Sequence, residues 1–537
     1  MLRLYLAEKE ARLSADTEIT LKFSNEWFKD RETEFSYPFT LKLESNRHIF
    51  GFPERPGNHS LSRYMSLHGK TYSIVMPAFI TFGGVTLLYG KARITSVNET
   101  EVELFCYSGE YNFWSKLSLY RLGELPEGVR ELFNIVVSNN GNTMDKSQLL
   151  AKLNEYRVSS GVLDKIMAFP AFYDPTMNAI PGETATILPR WVNYNNNDGL
   201  LLEYKGQHCV LLPCVNMGKL MELILGILGY SIKFSSLKSS PVFPYTYIIS
   251  RRKYVSLAHY TPSDSYTFQL TDFLPNITFK DFLEEIERRF CVLIQPRQPL
   301  YSRDSNKIVN VVSFDSYITA LPLEIAVLDG CEKSVLESDD FVAGYRFSDP
   351  EQGDDALTGQ VQDVEHITLS ADISNEILHD DTDGVKSIEC ISTPLARFFP
   401  DVDSSYAGHG IISSGDTGNI DIDNEEEYSA GYIVSRDKEF RIALSKGGNS
   451  LKPEFNEEES LEWDQLREGY RSKFNFIHGQ FMTVEFTLEH PIMMINQINN
   501  LFIRPIVVRN LRYLVVEQNI SFKGTNIEYR IKCYPMP

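Results

Sequence analysis

The sequence predicts a β-rich α+β protein of several domains, with a small β-barrel-like module near each end of the chain. Its 537 residues suffice for several domains at about 150 residues each. Aromatic residues make up 12% of the chain, with 28 Tyr and 33 Phe, and these residues pack well on pleated sheets. Apolar and polar residues alternate near both ends of the chain, whereas helical periodicity is confined to its middle.

Residues 1–125 are expected to form the first β-barrel-like module. TEITLKFSNEW and YPFTLKLES alternate apolar with polar residues, and YSIVMPAFITFGGVTLLYGKARITSVNETEVELFCYSG is a series of short strands with turns at GG, YG and NET. Between these runs IFGFPERPG predicts a proline-rich turn that packs its Phe side chains.

Residues 126–185 are expected to form a helical insertion. One helical face would carry Leu149, Leu150, Leu153 and Tyr156. A second would carry Val162, Leu163, Ile166 and Met167, after a break at SSG, so the pattern predicts a helix pair.

Residues 186–328 are expected to form mixed α/β modules. QHCVLLPCV predicts a strand, and a helix follows with Asn216 as N-cap and Gly229 as C-cap. Its predicted buried stripe consists of Leu220, Leu223, Ile224, Ile227 and Leu228.

A second helix in these modules has stronger signals. Thr278 and Asp281 fit a capping box, and strands are expected at CVLIQP and NKIVNVVSF. The pairs Glu284/Arg288 and Glu285/Arg289 have the i,i+4 spacing of ion pairs on a solvent-facing side. The predicted buried stripe is Phe279, Phe282, Leu283, Ile286 and Phe290.

Residues 329–430 are expected to form an acidic, loop-rich peripheral module. From Asp329 to Glu427 there are 25 acidic and 4 basic residues, a net charge of −21, so the rest of the chain sums to about +1. Few contacts should cross the boundaries of this module, and its deletion should leave the other domains folded. Its carboxylate runs, Asp381/Asp383 and Asp421/Asp423/Glu425, invite a calcium interpretation. A solvated surface is favoured, because Glu426 and Tyr432 occupy the positions where an EF-hand loop needs Gly and Glu.

Residues 431–474 are expected to form a connecting strand and helix, and residues 475–537 the second β-barrel-like module. In the connecting helix Trp463, Leu466, Tyr470 and Phe474 share one face, with Ser460 as a cap. The second module has tight turns at RN and KGTN. Its residues 513–516 (Tyr, Leu, Val, Val) should alternate between the barrel core and its outer face.

Motifs for catalysis and ligand binding are missing. The sequence contains no GxSxG, HExxH, P-loop or strand-linked GxGxxG motif. The seven Cys residues are far apart and are expected to be buried free thiols, and His208 and Cys209 should point to opposite faces of a strand. We therefore expect no enzyme, no cofactor and no catalytic, cofactor-binding or metal-binding residue.

Charge and hydropathy argue against nucleic acid binding, a membrane span and a secretory signal. The Lys and Arg residues are too dispersed for duplex binding, so no specific nucleic acid is expected. The stretch 76–90 is too short and too interrupted by Gly to cross a membrane, and charges stand where a secretory signal needs an apolar run.

Four stretches resemble baseplate hub or tail-tip proteins of tailed bacteriophages and of related contractile injection systems, most closely the type carried by Bacteroidetes phages. They are RHIFGFPERP with the strands that follow it, LLPCVNMGKLMELILGILGYSI, LPNITFKDFLEEIERRFCVLIQP, and WDQLREGYRSKF leading into the C-terminal strands. They cover about half of the chain in the family's order. The resemblance implies two barrel modules in a ring that continues the tail tube, and it implies no catalytic residue.

The resemblance also implies a role and a set of partners. The protein would be a structural virion component, made in the host cytoplasm, that joins the tail tube to the central spike or fibre apparatus during assembly and host cell attachment. It would be a homotrimer that contacts the tail tube or distal-tail ring and the spike or fibre proteins, and the tape-measure protein is a further candidate partner. The alternatives are a receptor- or glycan-binding tail protein, a hexameric distal-tail ring protein and a tail-associated hydrolase.

Overall fold

The fold is described from a computed structural model. The residues that it describes are 2–28, 35–55, 61–68, 71–83, 85–108, 113–114, 116–156, 165–170, 172–173, 187–196, 199–204, 206–250, 253–297, 307–335, 344–349, 385–394, 396–397, 411–412, 440–444, 461, 463–466, 468–478, 480, 482–495 and 501–536. The Asp and Glu residues that invited a calcium interpretation, residues 162–163 and Ser460 lie outside them.

Strands dominate the described residues. Numbered β1 to β36 in chain order, they are Leu2–Leu6, Lys9–Ala11, Glu18–Ser24, Phe35–Ser36, Phe39–Lys42, Met65–His68, Thr71–Phe82, Val85–Val97, Glu101–Ser108, Asn134–Ser138, Met167–Ala168, Phe172–Tyr173, Ile187–Val192, Asn195–Asn196, Gly199–Leu200, Glu203–Tyr204, Gln207–Leu211, Cys214–Asn216, Tyr230–Lys233, Thr246–Ile249, Val255–Ser256, Ser265–Gln269, Val292–Arg297, Lys307–Ser313, Leu323–Glu324, Glu332–Val335, Gly344–Ser348, Val385–Glu389, Thr393–Pro394, Ala396–Arg397, Ile411–Ile412, Arg441–Leu444, Met482–Thr487, Ile506–Val508, Leu511–Lys523 and Asn526–Pro535.

The α-helices are short. Numbered α1 to α9 in chain order within the described ranges, they are Arg47–Phe50, Glu127–Arg130, Lys146–Asn154, Met217–Ile227, Phe279–Phe290, Phe314–Thr319, Trp463–Leu466, Glu468–His478 and Pro491–Ile495. None of them combines the length and the apolar character that a membrane crossing needs.

The chain divides into two compact units, each assembled from separate stretches. Unit 1 contains residues 1–117, 293–342 and 472–537, and unit 2 contains residues 118–292 and 343–471. Several sheets within them bear out the predicted strand-rich, multidomain architecture.

Unit 1 is built around one fifteen-stranded sheet. Along its main path the strand order is β2-β1-β7-β8-β9-β4-β3-β35-β36-β33-β26. The two ends of the chain meet where β3 pairs antiparallel with β35, from Glu18 opposite Lys523 to Ser24 opposite Glu517. One hydrophobic core, from Leu4 to Cys533, lines one face of this sheet.

The turns of the C-terminal strands follow the predicted chemistry. Arg509 and Asn510 connect β34 to β35 with positive φ angles of 51° and 66°, as two-residue hairpin turns of the primed type require. Gly524, with φ 59°, and Thr525 connect β35 to β36. The predicted turns at RN and KGTN are therefore confirmed.

Unit 2 contains several smaller sheets. A five-stranded sheet has the order β11-β18-β20-β32-β29, and a second sheet has the order β16-β17-β13-β12-β31-β30, with β21 beside β17. Helix α4 starts where predicted, because the Asn216 side chain accepts a hydrogen bond from the Lys219 backbone N–H at 3.0 Å. It ends at Ile227 with Leu228 as its C-cap, one residue before the predicted Gly229, which has φ 78°.

Three local predictions need correction. Ile166 and Met167 are not helical, because Met167–Ala168 pairs with Cys214–Val215 and is buried. On α4 the fully buried residues include Met221 and Leu225, whereas Leu223, Ile227 and Leu228 are only half-buried. In the IFGFPERPG turn Phe50 is buried, but Phe52 is 38% exposed between two guanidinium groups, those of Arg47 at 4.4 Å and Arg55 at 4.2 Å.

Candidate functional site

Cys209 is the residue that a nucleophilic site would use, and its surroundings oppose that role. It lies on β17 beside His208 and is 1% exposed. Burial, with the nearby carboxylate of Glu203, raises its pKa to about 12, so the thiol stays protonated at neutral pH. Six of the seven Cys residues are buried free thiols, as predicted, and Cys331 is the exposed exception.

Metal ligands do not gather in the parts of the chain that the structure describes. No group of three or more His, Cys, Asp or Glu side chains within those ranges could hold an ion. The acidic runs that raised the question of calcium lie outside those ranges.

The most concentrated buried chemistry lies around Arg289, near the end of α5. The side chains of Arg289 and Glu285 are both 0% exposed, 3.4 Å apart. The expectation that this pair faces solvent is therefore wrong. Glu284 and Arg288, which have the same spacing, are 19% and 42% exposed, so only that pair matches the prediction.

The predicted capping box forms at the N-terminus of α5. The Thr278 side chain accepts a hydrogen bond from the Asp281 backbone N–H at 3.0 Å, and the Asp281 carboxylate accepts one from the Thr278 backbone N–H at 3.2 Å. Phe279, Phe282, Leu283 and Ile286 are fully buried as predicted, while Phe290 is half-buried.

Arg289 donates hydrogen bonds to segments far away in the sequence. It contacts Asp349 Oδ1 at 2.7 Å, the Ser392 carbonyl oxygen at 2.5 Å and the Leu461 carbonyl oxygen at 3.5 Å. Its guanidinium carbon lies 4.8 Å from the centre of the Trp463 ring. A single buried cation thereby joins four separate stretches of unit 2.

Glu285 completes the cluster from the other side. Its Oε2 accepts a hydrogen bond from the Ile391 backbone N–H at 2.7 Å, and its Oε1 accepts one from the Ser392 hydroxyl. The Trp463 indole N–H donates to Asp349 at 3.1 Å. Both described carboxylates that contact Arg289 therefore accept a further hydrogen bond.

The charges of this cluster are two carboxylates and one guanidinium. Burial raises the pKa of Asp349 although Arg289 acts to lower it. Burial acts to lower the pKa of Arg289, but Cys390, Asp349 and Glu285 outweigh it, so its pKa is raised. An enclosed, permanently charged Arg289 has no access to a substrate, so the cluster is suited to fastening segments and not to catalysis.

The cluster includes parts of the segment that was expected to be peripheral. Tyr345, Phe347 and Cys390 are 2%, 4% and 5% exposed, and Phe347 packs on Trp463 with ring centres 4.7 Å apart. The expectation that few contacts cross the boundaries of 329–430 is therefore wrong for its described stretches. Within these stretches Asp349 is paired with Arg289, which lies outside the segment.

A second buried cluster covers the other face of the C-terminal strands. Tyr513, Leu514, Val515 and Val516 are all buried, at 8%, 0%, 0% and 1% exposure. The side chains alternate between the two faces of the strand as predicted, because Tyr513 and Val515 belong to the main core and Leu514 and Val516 do not. The predicted outer face is instead covered by an aromatic layer of Trp27, Phe28, Phe314, Tyr317, Phe476 and Tyr534.

Asn25 fastens this layer to β35. Its side-chain amide donates to the Val515 carbonyl oxygen at 2.8 Å and to the Tyr317 hydroxyl at 3.0 Å. Its backbone N–H donates to the Val516 carbonyl oxygen at 2.8 Å. The layer gives unit 1 a second packed interface, which a single barrel would not need.

An open groove of about 560 Å³ lies between α9 and the β35–β36 turn. Its lining includes Ile492 and Met493, which are 60% and 70% exposed. Its polar lining residues include Glu489 and His490.

The chain has similarity to solved structures of tail proteins, at low sequence identity and low TM-scores. No family model and no curated protein matches the chain. Among solved structures, 99% of the chain aligns with 95% of the prophage MuSo2 43 kDa tail protein from Shewanella oneidensis, at 9% identity and a TM-score of 0.34. It aligns equally far with 95% of a tail protein from Neisseria meningitidis MC58, at 8% identity and a TM-score of 0.30.

A third structure is the E. coli c3393 protein, a type VI secretion component with structural similarity to the T4 tail proteins gp27 and gp5. The alignment covers 99% of this chain and 77% of that one, at 7% identity and a TM-score of 0.31. TM-scores this low do not establish a common fold.

Both buried clusters escaped sequence reasoning. The Glu285/Arg289 spacing is the same as that of an exposed pair, and its partners lie 60 to 172 residues further along the chain. Trp463, Tyr470 and Phe474 are buried as predicted, whereas Leu466 is half-buried. Their aromatic stripe was the available signal that something packs against this part of the chain.

Proposed function

We propose that the protein is a structural component of a phage tail, specifically a baseplate hub or tail-tip protein. The observation that carries this proposal is the shared sheet of unit 1, in which strands from both ends of the chain pair over a seven-residue register. The resemblance predicted that the terminal regions form the ring part of such a hub. Terminal strands that pair with each other and share a core fit that role.

The sequence resemblance assigns a role to each part of the chain. The terminal regions, residues 1–125 and 475–537, would act as two barrel-like modules joined through the pairing of β3 with β35. Residues 126–185, 186–328, 329–430 and 431–474 would form the helical, mixed, acidic and connecting parts. The protein would join the tail tube or distal-tail ring to the spike or fibre proteins and would have no enzymatic activity.

The proposed assembly is a homotrimer. Three chains with two modules each would present six modules, which lets a three-fold hub meet a six-fold tube. Heterologous contacts that close on themselves give cyclic symmetry.

Copy number in the assembled particle tests the proposal. Cryo-EM of the tail with this chain identified, together with native mass spectrometry of the purified protein, should give three copies in a ring at the tail tip. Six copies would favour a distal-tail ring protein. A position outside the tail, or a single copy, would overturn the proposal.

A further inference from the structure

The outward face of the fifteen-stranded sheet of unit 1 has two halves of different chemistry. Strands β3, β35, β36 and β33 form one half, where charged residues pair across strands. Lys22 lies 3.9 Å from Glu517, Lys523 lies 3.6 Å from Glu18, and Arg530 lies 3.5 Å from Glu485. Beyond the part of β35 and β36 that the aromatic layer covers, the charges of this half are therefore neutralised by partners within the unit.

The other half, on strands β1, β7, β8 and β9, carries aromatic rings and cations. We call it the aromatic–cationic face and define it by Tyr5, Phe79, Lys91, Arg93, Phe105 and Tyr107. Their neighbours along the strands, such as Leu4, Ala92, Leu104 and Cys106, point into the core. The period of two along each strand therefore places the six defining residues on the opposite side.

The register of the strands brings these six side chains into cross-strand pairs. Tyr5 lies opposite Phe79, and their rings stack with centres 4.4 Å apart. On the next pair of strands Lys91 lies opposite Tyr107 and Arg93 opposite Phe105. Each cation is therefore directly opposite an aromatic ring.

The two cations lack acidic partners. Lys91 and Arg93 are exposed, and within the described ranges no carboxylate lies at ion-pair distance from either. The nearby Glu103 instead accepts hydrogen bonds from Thr95 at 3.0 Å and Ser96 at 3.1 Å. Positive charge on this half is thus left for a partner outside the unit.

We propose that the aromatic–cationic face is a docking surface for an acidic polypeptide segment that carries aromatic side chains, supplied by a partner protein. Aromatic residues and Arg are enriched in protein interfaces, and unpaired cations select a partner of opposite charge. Two cations among four half-buried rings are few for a nucleic acid, whose affinity depends on many phosphate contacts. The inference is independent of the tail role, which would survive its failure.

A fluorescein-labelled random copolymer of glutamate and tyrosine serves as the probe, with labelled oligo(dT) as the competing class. Fluorescence anisotropy on the full chain should show that the copolymer binds and that added salt weakens it. The variant Lys91→Gln/Arg93→Gln should weaken binding about fivefold, because it removes both cations that would pair with carboxylates of the probe.

A matched variant, Lys523→Gln/Arg530→Gln, removes the same two residue types from the other half of the same face. It should change the affinity less than about twofold, because those cations already have partners. Circular dichroism would check that both variants fold. Absence of copolymer binding, an equal loss in both variants, or tighter binding of oligo(dT) than of the copolymer would each overturn the proposal.

Discussion

The buried side chain of Arg289 connects several segments of unit 2. Its guanidinium has no solvent contact and donates hydrogen bonds to Asp349, the Ser392 carbonyl oxygen and the Leu461 carbonyl oxygen. Removal of one member of a buried charge cluster leaves the others unpaired, which typically costs about 3–5 kcal/mol.

We therefore expect Arg289→Met to destabilise unit 2 strongly. Hydrogen exchange of the α5 amides, followed by mass spectrometry, should lose protection by roughly two to three orders of magnitude, at 1.4 kcal/mol for each factor of ten. The control is Arg288→Met, which removes a half-exposed pair with Glu284 and an exposed hydrogen bond to the Glu389 carbonyl oxygen, together worth about 1–2 kcal/mol. Equal protection in the two variants would contradict the role assigned to Arg289.

Asp349 gives a prediction for pH. Burial raises its folded-state pKa above the ordinary value of 3.8, so the folded protein binds the proton more readily than the unfolded chain. The stability that this group contributes is then fully present below its unfolded pKa and is lost as pH rises through its folded pKa.

The wild type should accordingly gain stability relative to Asp349→Asn as the solution is acidified. Urea midpoints of both proteins, measured at neutral pH and again at a mildly acidic pH, should differ more in favour of the wild type at the lower pH. The comparison between the two proteins cancels the titration of carboxyl groups that lie away from this cluster. A difference that shrinks on acidification would show that Arg289, and not burial, governs this carboxyl group.

At the scale of elements, β35 is packed on both faces. Leu514 is fully buried on the side away from the main core, opposite Tyr534, which packs edge-on against Phe28 with ring centres 5.1 Å apart. A strand at the surface of a barrel would expose that side. The aromatic layer therefore converts an expected surface into a second interior.

A lysine at position 514 should be costly for this reason. We expect Leu514→Lys to lower the free energy of unfolding by roughly 3 kcal/mol or more, because the ammonium group would leave water for a site packed with aromatic rings. Leu511→Lys lies on the same strand at 62% exposure and should change stability by less than about 0.5 kcal/mol. Urea unfolding followed by circular dichroism compares them, and similar midpoints would mean that the layer does not seal this face.

Short sequence motifs predicted where helices and turns form, but not which faces of these elements are buried. The capping box at Thr278, the cap at Asn216 and the turn at Arg509–Asn510 were readable because a few adjacent residues determine each of them. The strand at Met167 was missed because its pairing with Val215 overrides a helical pattern. Burial of Arg289 and Leu514 depends on segments that are remote in sequence, so spacing within one element carries no sign of it.

At the scale of the whole molecule, each unit depends on stretches that are far apart in the chain. Unit 2 takes in residues 343–471, and its strands β27 and β28 pair in parallel from Gly344 opposite Val385 to Ser348 opposite Glu389. These strands flank a part of the acidic segment and lead directly into Asp349 and Ser392. The acidic segment therefore contributes strands to both units: β26 pairs with β33 in unit 1, and β27 pairs with β28 in unit 2.

Two deletions distinguish β27 and β28 from the residues between them. Removal of residues 344–394 should destabilise unit 2, because Arg289 and Glu285 lose Asp349 and Ser392 and the aromatic faces of Trp463 and Tyr470 lose Phe347. Replacement of residues 351–383 by a flexible linker of about a dozen residues, the length that a parallel crossover needs, should leave unit 2 folded. Hydrogen exchange of α5 measures both. If the larger deletion left the protection of α5 unchanged, the acidic segment would be as peripheral as its charge first suggested.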